Sequence, residues 1–500
     1  MSLLHAAAIF SVAMFGGVQA LTQEAAGPAQ AKGAQPSARY ELGWRVRQLE
    51  RAWAANVGPD GRSSMLPLVE SAVQHFFALR IPQAAEALDR AVDQLPNLCG
   101  GCNWTRAWAF TPEARLLDSS SKSLTLVAKP FYESCGGTLV TLAVSVRINN
   151  ASNRLHLGDL TGSQLTSSQT LTLSLADVSV GDSRLSVHAF DGDFCWSEHD
   201  LIVSLVEKRD ERLASLEAAI DRLPDTAPRL ERETAKALLA LLKSLAAGST
   251  EETDYPGARL LAEAEQVVAA GAKGERWYES TKTGQFWLAV PTSEKRTTRA
   301  RIFVPALAAG APKPPLVVAL HGAGGSENLF FDGYGDGEIV RLCEKRGWML
   351  VAPRLGFGGA PVAALVDELA ARFAFDSTRV FVVGHSMGAA AGTSAVLADP
   401  ARYRAFAALG GGQALKDASP LKSLPIFIGA GERDFGLAGA KKLHASLVAA
   451  GSECAVLRVV PNTEHLMIVQ DALPEVFAWF DELAMAAAES VEPTDRPTDR

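Results

Sequence analysis

The sequence predicts a multidomain chain in which the last large domain is an α/β domain, with a mostly parallel eight-stranded sheet and helices on both faces. From residue 285 onward, strand-like runs such as PLVVALHG and RVFVVGHS are apolar on both faces and alternate with helical stretches, which is typical of a covered parallel sheet. Earlier runs such as TLVTLAVSVRI and SRLSVHAF alternate apolar with polar residues between turn signals. That pattern indicates a small all-β, antiparallel, sandwich-like module.

The domain boundaries follow from shifts in composition and periodicity. Apolar residues at three- and four-residue spacing mark two helical regions, which could pack on each other with the β module inserted between them. The organisation we expect is a signal peptide 1–20, a linker 21–37, a helical region 38–98, the sandwich-like module 99–205, a helical region 206–272, the α/β domain 273–488 and a disordered tail 489–500.

The first twenty residues predict export. They are almost wholly apolar and end in Val18-Gln19-Ala20, a small-x-small pattern typical of signal-peptide cleavage. A retained membrane anchor is the alternative, since an apolar run of this length could just span a bilayer. We therefore expect a secreted or periplasmic protein, without stable membrane insertion once the signal is cleaved.

Charge and cysteine content limit the partners of the protein. The formal net charge is -8 and no block of basic residues occurs, so neither nucleic acid nor an anionic lipid surface is expected as a partner. In an exported chain, Cys135 and Cys195 could form a disulfide within the β module. Cys99 and Cys102 could be half a zinc site or a redox motif, but a short disulfide or buried thiols is the simpler interpretation, because no second metal pair accompanies them.

The strongest motif is Gly384-His385-Ser386-Met387-Gly388, which has the form G-x-S-x-G. It follows the apolar strand RVFVV and opens a helix of small residues, MGAAAGTSAVL. A serine turned sharply from strand to helix sits in a strained backbone conformation, so the residues two positions to either side must be small. The helix N terminus then presents N–H groups toward developing negative charge. Ser386 is therefore the candidate nucleophile.

A serine hydroxyl needs a base to take its proton, and the base needs an acid to orient it. Of the two histidines after Ser386, His444 lies inside a helical stretch, whereas His465 lies in the short loop PNTEHL just before the last helix. His465 is therefore the candidate base. The strand LPIFIGA leads to both Glu432 and Asp434, and each is a candidate for the acid.

Two backbone donors are needed for an oxyanion hole. The N–H of Met387, directly after the nucleophile, is one candidate. The loop after the strand PLVVAL reads HGAGGS, and its glycines allow close approach to a substrate oxygen, so Ala323 is the second candidate. A glycine-rich turn could also bind a phosphate, but no Walker lysine follows, which argues against a nucleotide.

Three aromatic residues follow this loop, namely Phe330, Phe331 and Tyr334. Loops at the carboxyl ends of parallel strands form the substrate site of such domains. The three rings are therefore candidates for an acyl or aromatic-ester pocket. The alternative is that they anchor the loop against the hydrophobic core.

The motifs HGAGGS, GHSMG, GERD and TEH, in that order, resemble the α/β-hydrolase superfamily. Within it they look most like secreted esterases, which include polyhydroxybutyrate depolymerases, feruloyl esterases and dienelactone-hydrolase-like proteins. The resemblance covers the C-terminal two fifths or so of the chain, and its G-x-x-D spacing favours Asp434 over Glu432. It implies hydrolysis of a small-molecule or polymeric ester through an acyl-enzyme, without a metal or an organic cofactor.

Other functions remain open on this sequence. The nucleophile is serine, unlike the cysteine of true dienelactone hydrolases, so lactone specificity does not follow from the resemblance. The same core resembles the catalytic domain of prolyl oligopeptidases, which makes a serine peptidase the main alternative, although residues 99–205 are too short for the β-propeller of those enzymes. A non-catalytic binding protein is a second alternative, and the complete set of Ser, Asp and His in order argues against it.

Overall fold

The computed structural model divides the chain into two compact units, between Trp277 and Tyr278. The predicted signal peptide, the linker except for its last residue and almost all of the predicted tail lie outside the residues that the structure describes. Cys99, Cys102 and Cys135 also lie outside them, and with Cys135 the predicted disulfide to Cys195. The structure describes residues 37–55, 59–94, 104–133, 141–191, 195–308, 310–356 and 361–489.

In the N-terminal unit, helices precede and follow the β-rich region in the sequence. The apolar residues of each helix recur at three- and four-residue spacing and face inward, as in the run Leu238, Leu242 and Leu245. The described helices of this unit are α1 (Ala38–Ala55), α2 (Pro59–Phe77), α3 (Ile81–Val92), α4 (Arg209–Asp221), α5 (Arg229–Ala246) and α6 (Gly257–Ala272).

The β-rich region of this unit folds as two sheets around one hydrophobic core, to which both sheets contribute alternate residues. One sheet has the strand order β1-β3-β6 and the other β2-β8-β7-β4-β5. The strands are β1 (Trp108–Pro112), β2 (Leu116–Asp118), β3 (Ser123–Pro130), β4 (Thr141–Ile148), β5 (Leu155–Thr161), β6 (Gln169–Ser174), β7 (Gly181–Asp191) and β8 (Cys195–Val206).

One strand pair departs from the antiparallel arrangement that the sequence predicts, because β2 pairs with β8 in parallel. Alternation of apolar and polar residues shows which face of a strand is buried, but it says nothing about the direction of the neighbouring strand. Since β2 and β8 are far apart in sequence, no hairpin forces them to be antiparallel.

The β module caps the N terminus of α6. The Ser204 hydroxyl accepts a hydrogen bond from the Gly257 N–H at 2.9 Å and donates one to Asp182 at 2.7 Å. The carboxylate of Asp182 also accepts from the N–H groups of Ala258 (2.8 Å) and Arg259 (3.2 Å). The residue before α6 is a proline that offers no side-chain cap, so strands β7 and β8 satisfy N–H groups that the helix itself cannot.

Helix α1 contacts the segment that precedes α6. Arg39 donates a hydrogen bond to Glu251 at 2.8 Å, and the Tyr40 hydroxyl lies 2.9 Å from a carboxylate oxygen of Asp254. On the same helix, the buried guanidinium of Arg45 forms an ion pair with Asp89 of α3 at 2.8 Å. The two helical stretches of the sequence therefore belong to the same unit.

The C-terminal unit contains an eight-stranded sheet with the order β16-β15-β14-β13-β11-β12-β10-β9. Strand β10 is antiparallel to both of its neighbours, and the other described pairings are parallel. The runs PLVVALHG, RVFVVGHS and LPIFIGA, which we expected to be strands, form β11, β13 and β15. The strands of the sheet are β9 (Gly284–Pro291), β10 (Thr297–Val304), β11 (Leu316–Leu320), β12 (Met349–Pro353), β13 (Val380–His385), β14 (Ala405–Leu409), β15 (Ile426–Gly431) and β16 (Ala455–Val460).

Central strands of this sheet are buried along their whole length, as β13 and β14 are, whereas the edge strand β16 is partly exposed. This explains why the central strands are continuous apolar runs in the sequence.

Within the described ranges, no helix is both long enough and apolar enough to cross a membrane. The helices of the unit are α7 (Leu329–Asp332), α8 (Tyr334–Arg346), α9 (Val362–Ala370), α10 (Met387–Ala398), α11 (Leu437–Ala449) and α12 (Ile468–Glu489).

Replacing Asp182 with Ala should weaken the start of α6, because the N–H groups of Ala258 and Arg259 lose their acceptor. We expect a loss of about 1–2 kcal/mol in the local free energy of opening. Hydrogen exchange of the amides in the first turn of α6 measures this directly. Asp177→Ala, at an exposed turn of the same module, is the matched control, and equal exchange rates in the two variants would contradict the capping role.

Candidate active site

Ser386 lies at a sharp turn between β13 and α10. Its backbone has φ +53° and ψ -113°, a left-handed conformation that L-residues with a side chain rarely adopt. The turn is held by a 2.8 Å hydrogen bond from the Ser386 N–H to the carbonyl of Leu409 in β14. Because strain of this kind persists only where the surroundings enforce it, the turn is typical of a functional site.

The two glycines of the motif permit this turn by close backbone contact. A Cβ atom on Gly388 would lie 1.8 Å from the carbonyl oxygen of Leu320, at the end of β11, and one on Gly384 would lie 2.3 Å from the carbonyl oxygen of Gly388. Both distances are far below van der Waals contact. Any side chain at either position would push the N terminus of α10 away from the sheet.

The structure brings Ser386, His465 and Asp434 together. His465 Nε2 lies 3.0 Å from the Ser386 hydroxyl oxygen, and His465 Nδ1 lies 2.8 Å from a carboxylate oxygen of Asp434. An ionised carboxylate only accepts hydrogen bonds, so Nδ1 carries the imidazole proton and the lone pair of Nε2 points at the serine. The competing residues lie elsewhere, since Glu432 is exposed and His444 is on α11.

Asp434 is held as a buried carboxylate. Burial acts to raise its pKa, but the hydrogen bond from His465 and the one from the Gly436 N–H outweigh burial, so the pKa of Asp434 lies below its usual value. The carboxylate stays charged and oriented toward the imidazole, as an acid that stabilises an imidazolium must be.

The loop after β11, residues 321–326, is called the oxyanion loop because it carries the candidate donor Ala323, and its shape depends on the ring of His321. The Leu355 N–H donates to His321 Nε2 at 2.9 Å, so Nδ1 carries the proton and donates to the carbonyl of Gly322 at 2.8 Å. Ala323 follows in a half-buried turn. The N–H of Met387 is the first of α10 and has no acceptor within the helix. Both candidate donors therefore remain candidates.

The three aromatic residues after the loop are buried in the hydrophobic core, with Phe330 0%, Phe331 5% and Tyr334 2% exposed. This burial favours the anchoring interpretation over the pocket. The rings face the core because the segment that carries them folds back onto the sheet in α7 and the start of α8.

The start of α8 is a left-handed turn, with φ between +47° and +79° at four consecutive residues, Tyr334 to Gly337. A non-glycine residue in this conformation costs about 1–2 kcal/mol, and Tyr334 and Asp336 both adopt it. Arg341 donates hydrogen bonds to the carbonyls of Gly335 and Asp336. These contacts and the buried tyrosine hold the turn.

Two residues to which the sequence assigned no role lie at the site. His385 is buried beside Tyr334, with 2.7 Å between the tyrosine hydroxyl and His385 Nδ1. Phe435 follows Asp434 directly, is 54% exposed, and has its ring centroid 4.0 Å from that of His465. The only sequence signal for either residue is its position next to a residue of the motif.

The strand order of the sheet and the position of the turn at Ser386 together identify the fold of this unit. Counted from β9, the strand order is 1-2-4-3-5-6-7-8 with the second strand antiparallel, and the G-x-S-x-G turn follows the fifth strand. The C-terminal unit has the α/β-hydrolase fold.

Comparison with known proteins gives matches among solved structures only. No protein-family model and no curated protein matches the chain. An S-formylglutathione hydrolase from Agrobacterium tumefaciens is 18% identical, with a TM-score of 0.32, over 40% of this chain and 94% of its own. A feruloyl esterase module from Clostridium thermocellum is 13% identical, with a TM-score of 0.32, over 40% of this chain and 86% of the module. A thermostable esterase is 15% identical, with a TM-score of 0.35, over 75% and 99%.

Stability of the protein should fall as the pH is lowered through the acidic range, partly because of His385. Burial, and then the nearby His465, lower the pKa of His385 from 6.5 to about 3. Below pH 6.5 the unfolded chain therefore binds a proton at His385 that the folded chain does not bind. The contribution of His385 to the free energy of unfolding is fully present above pH 6.5 and is lost as the pH falls toward 3.

His385→Gln should flatten that dependence, because the glutamine does not titrate. Denaturation midpoints measured from pH 7 down to about 4 compare the slopes. His444→Gln, on α11, controls for the removal of a histidine as such. Parallel slopes in wild type and His385→Gln would contradict the assignment.

Proposed function

We propose that the protein is a serine hydrolase that cleaves carboxylic esters through an acyl-enzyme intermediate. One observation carries the proposal: the hydrogen bonds that connect Ser386 to His465 and His465 to Asp434. The three side chains come from loops after three strands of one sheet, at its carboxyl edge, which is where ligands bind in α/β sheets.

The first step uses His465 as general base. Nε2 accepts the proton of the Ser386 hydroxyl as the oxygen attacks the ester carbonyl, and the negative charge of Asp434 stabilises the imidazolium that forms. The carbonyl oxygen becomes an oxyanion, for which the N–H groups of Met387 and Ala323 are the proposed donors. Collapse of the intermediate expels the alcohol, which takes the proton from His465.

The second step reverses these roles. A water molecule gives its proton to His465 Nε2 and attacks the acyl-enzyme, and the serine oxygen then leaves with that proton as the acid is released. Each proton accepted by the imidazole is returned within the same half-reaction. The cycle therefore needs no further acid or base.

An apolar group next to the scissile bond fits this site. Phe435 presents an exposed ring beside His465, and burying apolar surface of a substrate against it would be favourable. For this role we propose Phe435 in preference to Phe330, Phe331 and Tyr334, because those three rings are buried.

Export of the protein is also part of the proposal. It rests on residues 1–20, whose apolar run ends in a pattern typical of signal-peptide cleavage. A secreted or periplasmic hydrolase would meet small or polymeric esters outside the cytoplasm. Sequencing the N terminus of the mature protein from its native host tests this point.

Ser386→Ala should lower kcat by roughly 10⁴-fold or more, because it removes the nucleophile that the other two residues serve. A panel of p-nitrophenyl esters, with peptide anilides beside it, measures the loss and the bond preference together. Ser394→Ala, at an exposed position of the same helix, is the matched control. Near wild-type ester hydrolysis by Ser386→Ala would end the proposal, and faster cleavage of the anilides would make the enzyme a peptidase.

Phe435→Ala should raise KM for aromatic and long-chain p-nitrophenyl esters by roughly 10-fold more than it raises KM for p-nitrophenyl acetate, because the apolar contact is lost. The melting temperature should barely change, since the ring is already 54% exposed. Val448→Ala, which is 51% exposed on α11, serves as the control. An unchanged chain-length profile in Phe435→Ala would remove the ring from the substrate site.

A further inference from the structure

We propose that Tyr334 and His385 are positioning residues, which connect the oxyanion loop to the catalytic base through a chain of three hydrogen bonds. The chain runs from the Gly322 N–H to the Tyr334 hydroxyl (3.1 Å), on to His385 Nδ1 (2.7 Å), and from His385 Nε2 to the backbone carbonyl of His465 (3.0 Å). This inference rests on the proposed function.

Chemistry fixes the direction of each hydrogen bond. The carbonyl of His465 can only accept, so His385 Nε2 carries a proton and donates it. A neutral imidazole has one N–H, which leaves Nδ1 as an acceptor for the Tyr334 hydroxyl proton. The tyrosine oxygen in turn accepts from the Gly322 N–H, which can only donate. Every group in the chain therefore has one role, and reversing any single bond would break the chain.

Because His385 is neutral near pH 7, the donor and acceptor roles along this chain of hydrogen bonds do not change there. Burial and the nearby His465 lower the pKa of His385 to about 3. A second proton on the ring would turn Nδ1 into a donor that faces the tyrosine hydroxyl. The ring therefore stays neutral well below neutral pH, and the chain of hydrogen bonds stays intact over that range.

The ring of His385 has little room to move. A Cβ on Gly322 would lie 2.7 Å from His385 Nδ1, and one on Gly410 would lie 3.1 Å from Nε2. The backbone therefore approaches the ring from both sides. A displacement of the imidazole would be transmitted to the oxyanion loop on one side and to the base loop on the other.

The left-handed turn of Tyr334 to Gly337 aims the tyrosine hydroxyl into this position. Two non-glycine residues adopt left-handed conformations there, and Arg341 holds the carbonyls of the turn. A tyrosine that only filled the core would not need a strained backbone or a hydroxyl. The hydroxyl instead satisfies one buried donor and one buried acceptor.

Tyr334→Phe tests the role with the smallest change. We expect kcat to fall about 10- to 100-fold with KM changed less than about 2-fold, because displaced oxyanion and base groups act on the transition state rather than on substrate binding. Tyr403→Phe is the matched control, since the Tyr403 hydroxyl is buried without a hydrogen-bond partner in the described part of the chain. A purely structural tyrosine would change the melting temperature and leave kcat alone, and that result would overturn the inference.

Variants of His385 test the connection independently. His385→Gln keeps an N–H near the Nε2 position and should retain several-fold more activity than His385→Leu, which keeps none. In the double variant Tyr334→Phe/His385→Gln, the losses should not add, because both residues act through one chain. Additive losses, or equal activity of the Gln and Leu variants, would overturn the connection.

These outcomes separate the inference from the proposed function. Ester hydrolysis that survives Ser386→Ala overturns the proposed function and the inference with it. Full kcat in Tyr334→Phe beside an inactive Ser386→Ala overturns the positioning role alone. A fluorophosphonate probe, which labels an activated serine, gives the same comparison as a rate of labelling and does not require the natural substrate.

Discussion

The contact between the N terminus of α10 and the end of β11 is the constraint on which the site depends. There the Cα of Gly388 faces the Leu320 carbonyl with no space for a methyl group. This close contact brings the start of α10 over the carboxyl edge of the sheet. In that position the helix can be joined to β13 only through a serine in a strained backbone conformation. The first N–H groups of α10 and the serine hydroxyl consequently share one small volume, where a developing oxyanion would be stabilised.

Sheet order explains why residues far apart in sequence converge at that volume. Parallel strands end at the same edge, so the loops after β11, β13, β15 and β16 all lie along that edge although other elements separate them in the chain. Each loop contributes one part: the glycine-rich turn, the serine, the aspartate and the histidine. The buried Tyr334 and His385 fill the space beneath these loops and hydrogen-bond across it.

Much of this could be predicted from the sequence, for reasons that also explain what could not. Strands β13 and β14 are buried on both faces and therefore are continuous apolar runs. Ser386, Asp434 and His465 could be predicted as candidates because a short motif and the order of three loops carry them, and the structure places them within hydrogen-bond distance of one another. The hydrogen bond between Tyr334 and His385 joins residues 51 positions apart, and no local pattern records a contact between loops. For the same reason composition could not show that Phe330 and Phe331 face the core while Phe435 faces solvent.

The N-terminal unit has a consequence for how the protein is made. Helix α1 packs against residues that follow the whole β module: Tyr40 and Asp254 are 214 positions apart, and Gly43 lies so close to Glu252 that a Cβ would be 2.4 Å from its carbonyl oxygen. During synthesis, chains emerge N terminus first at about 5–20 residues per second. The contacts of helix α1 with α3 can therefore form within about 10 s, whereas its contacts with residues 251–254 must wait for tens of seconds. Over that interval only the part of α1 that contacts residues 251–254 is open to chaperones and to other nascent chains, and the β module has time to fold first.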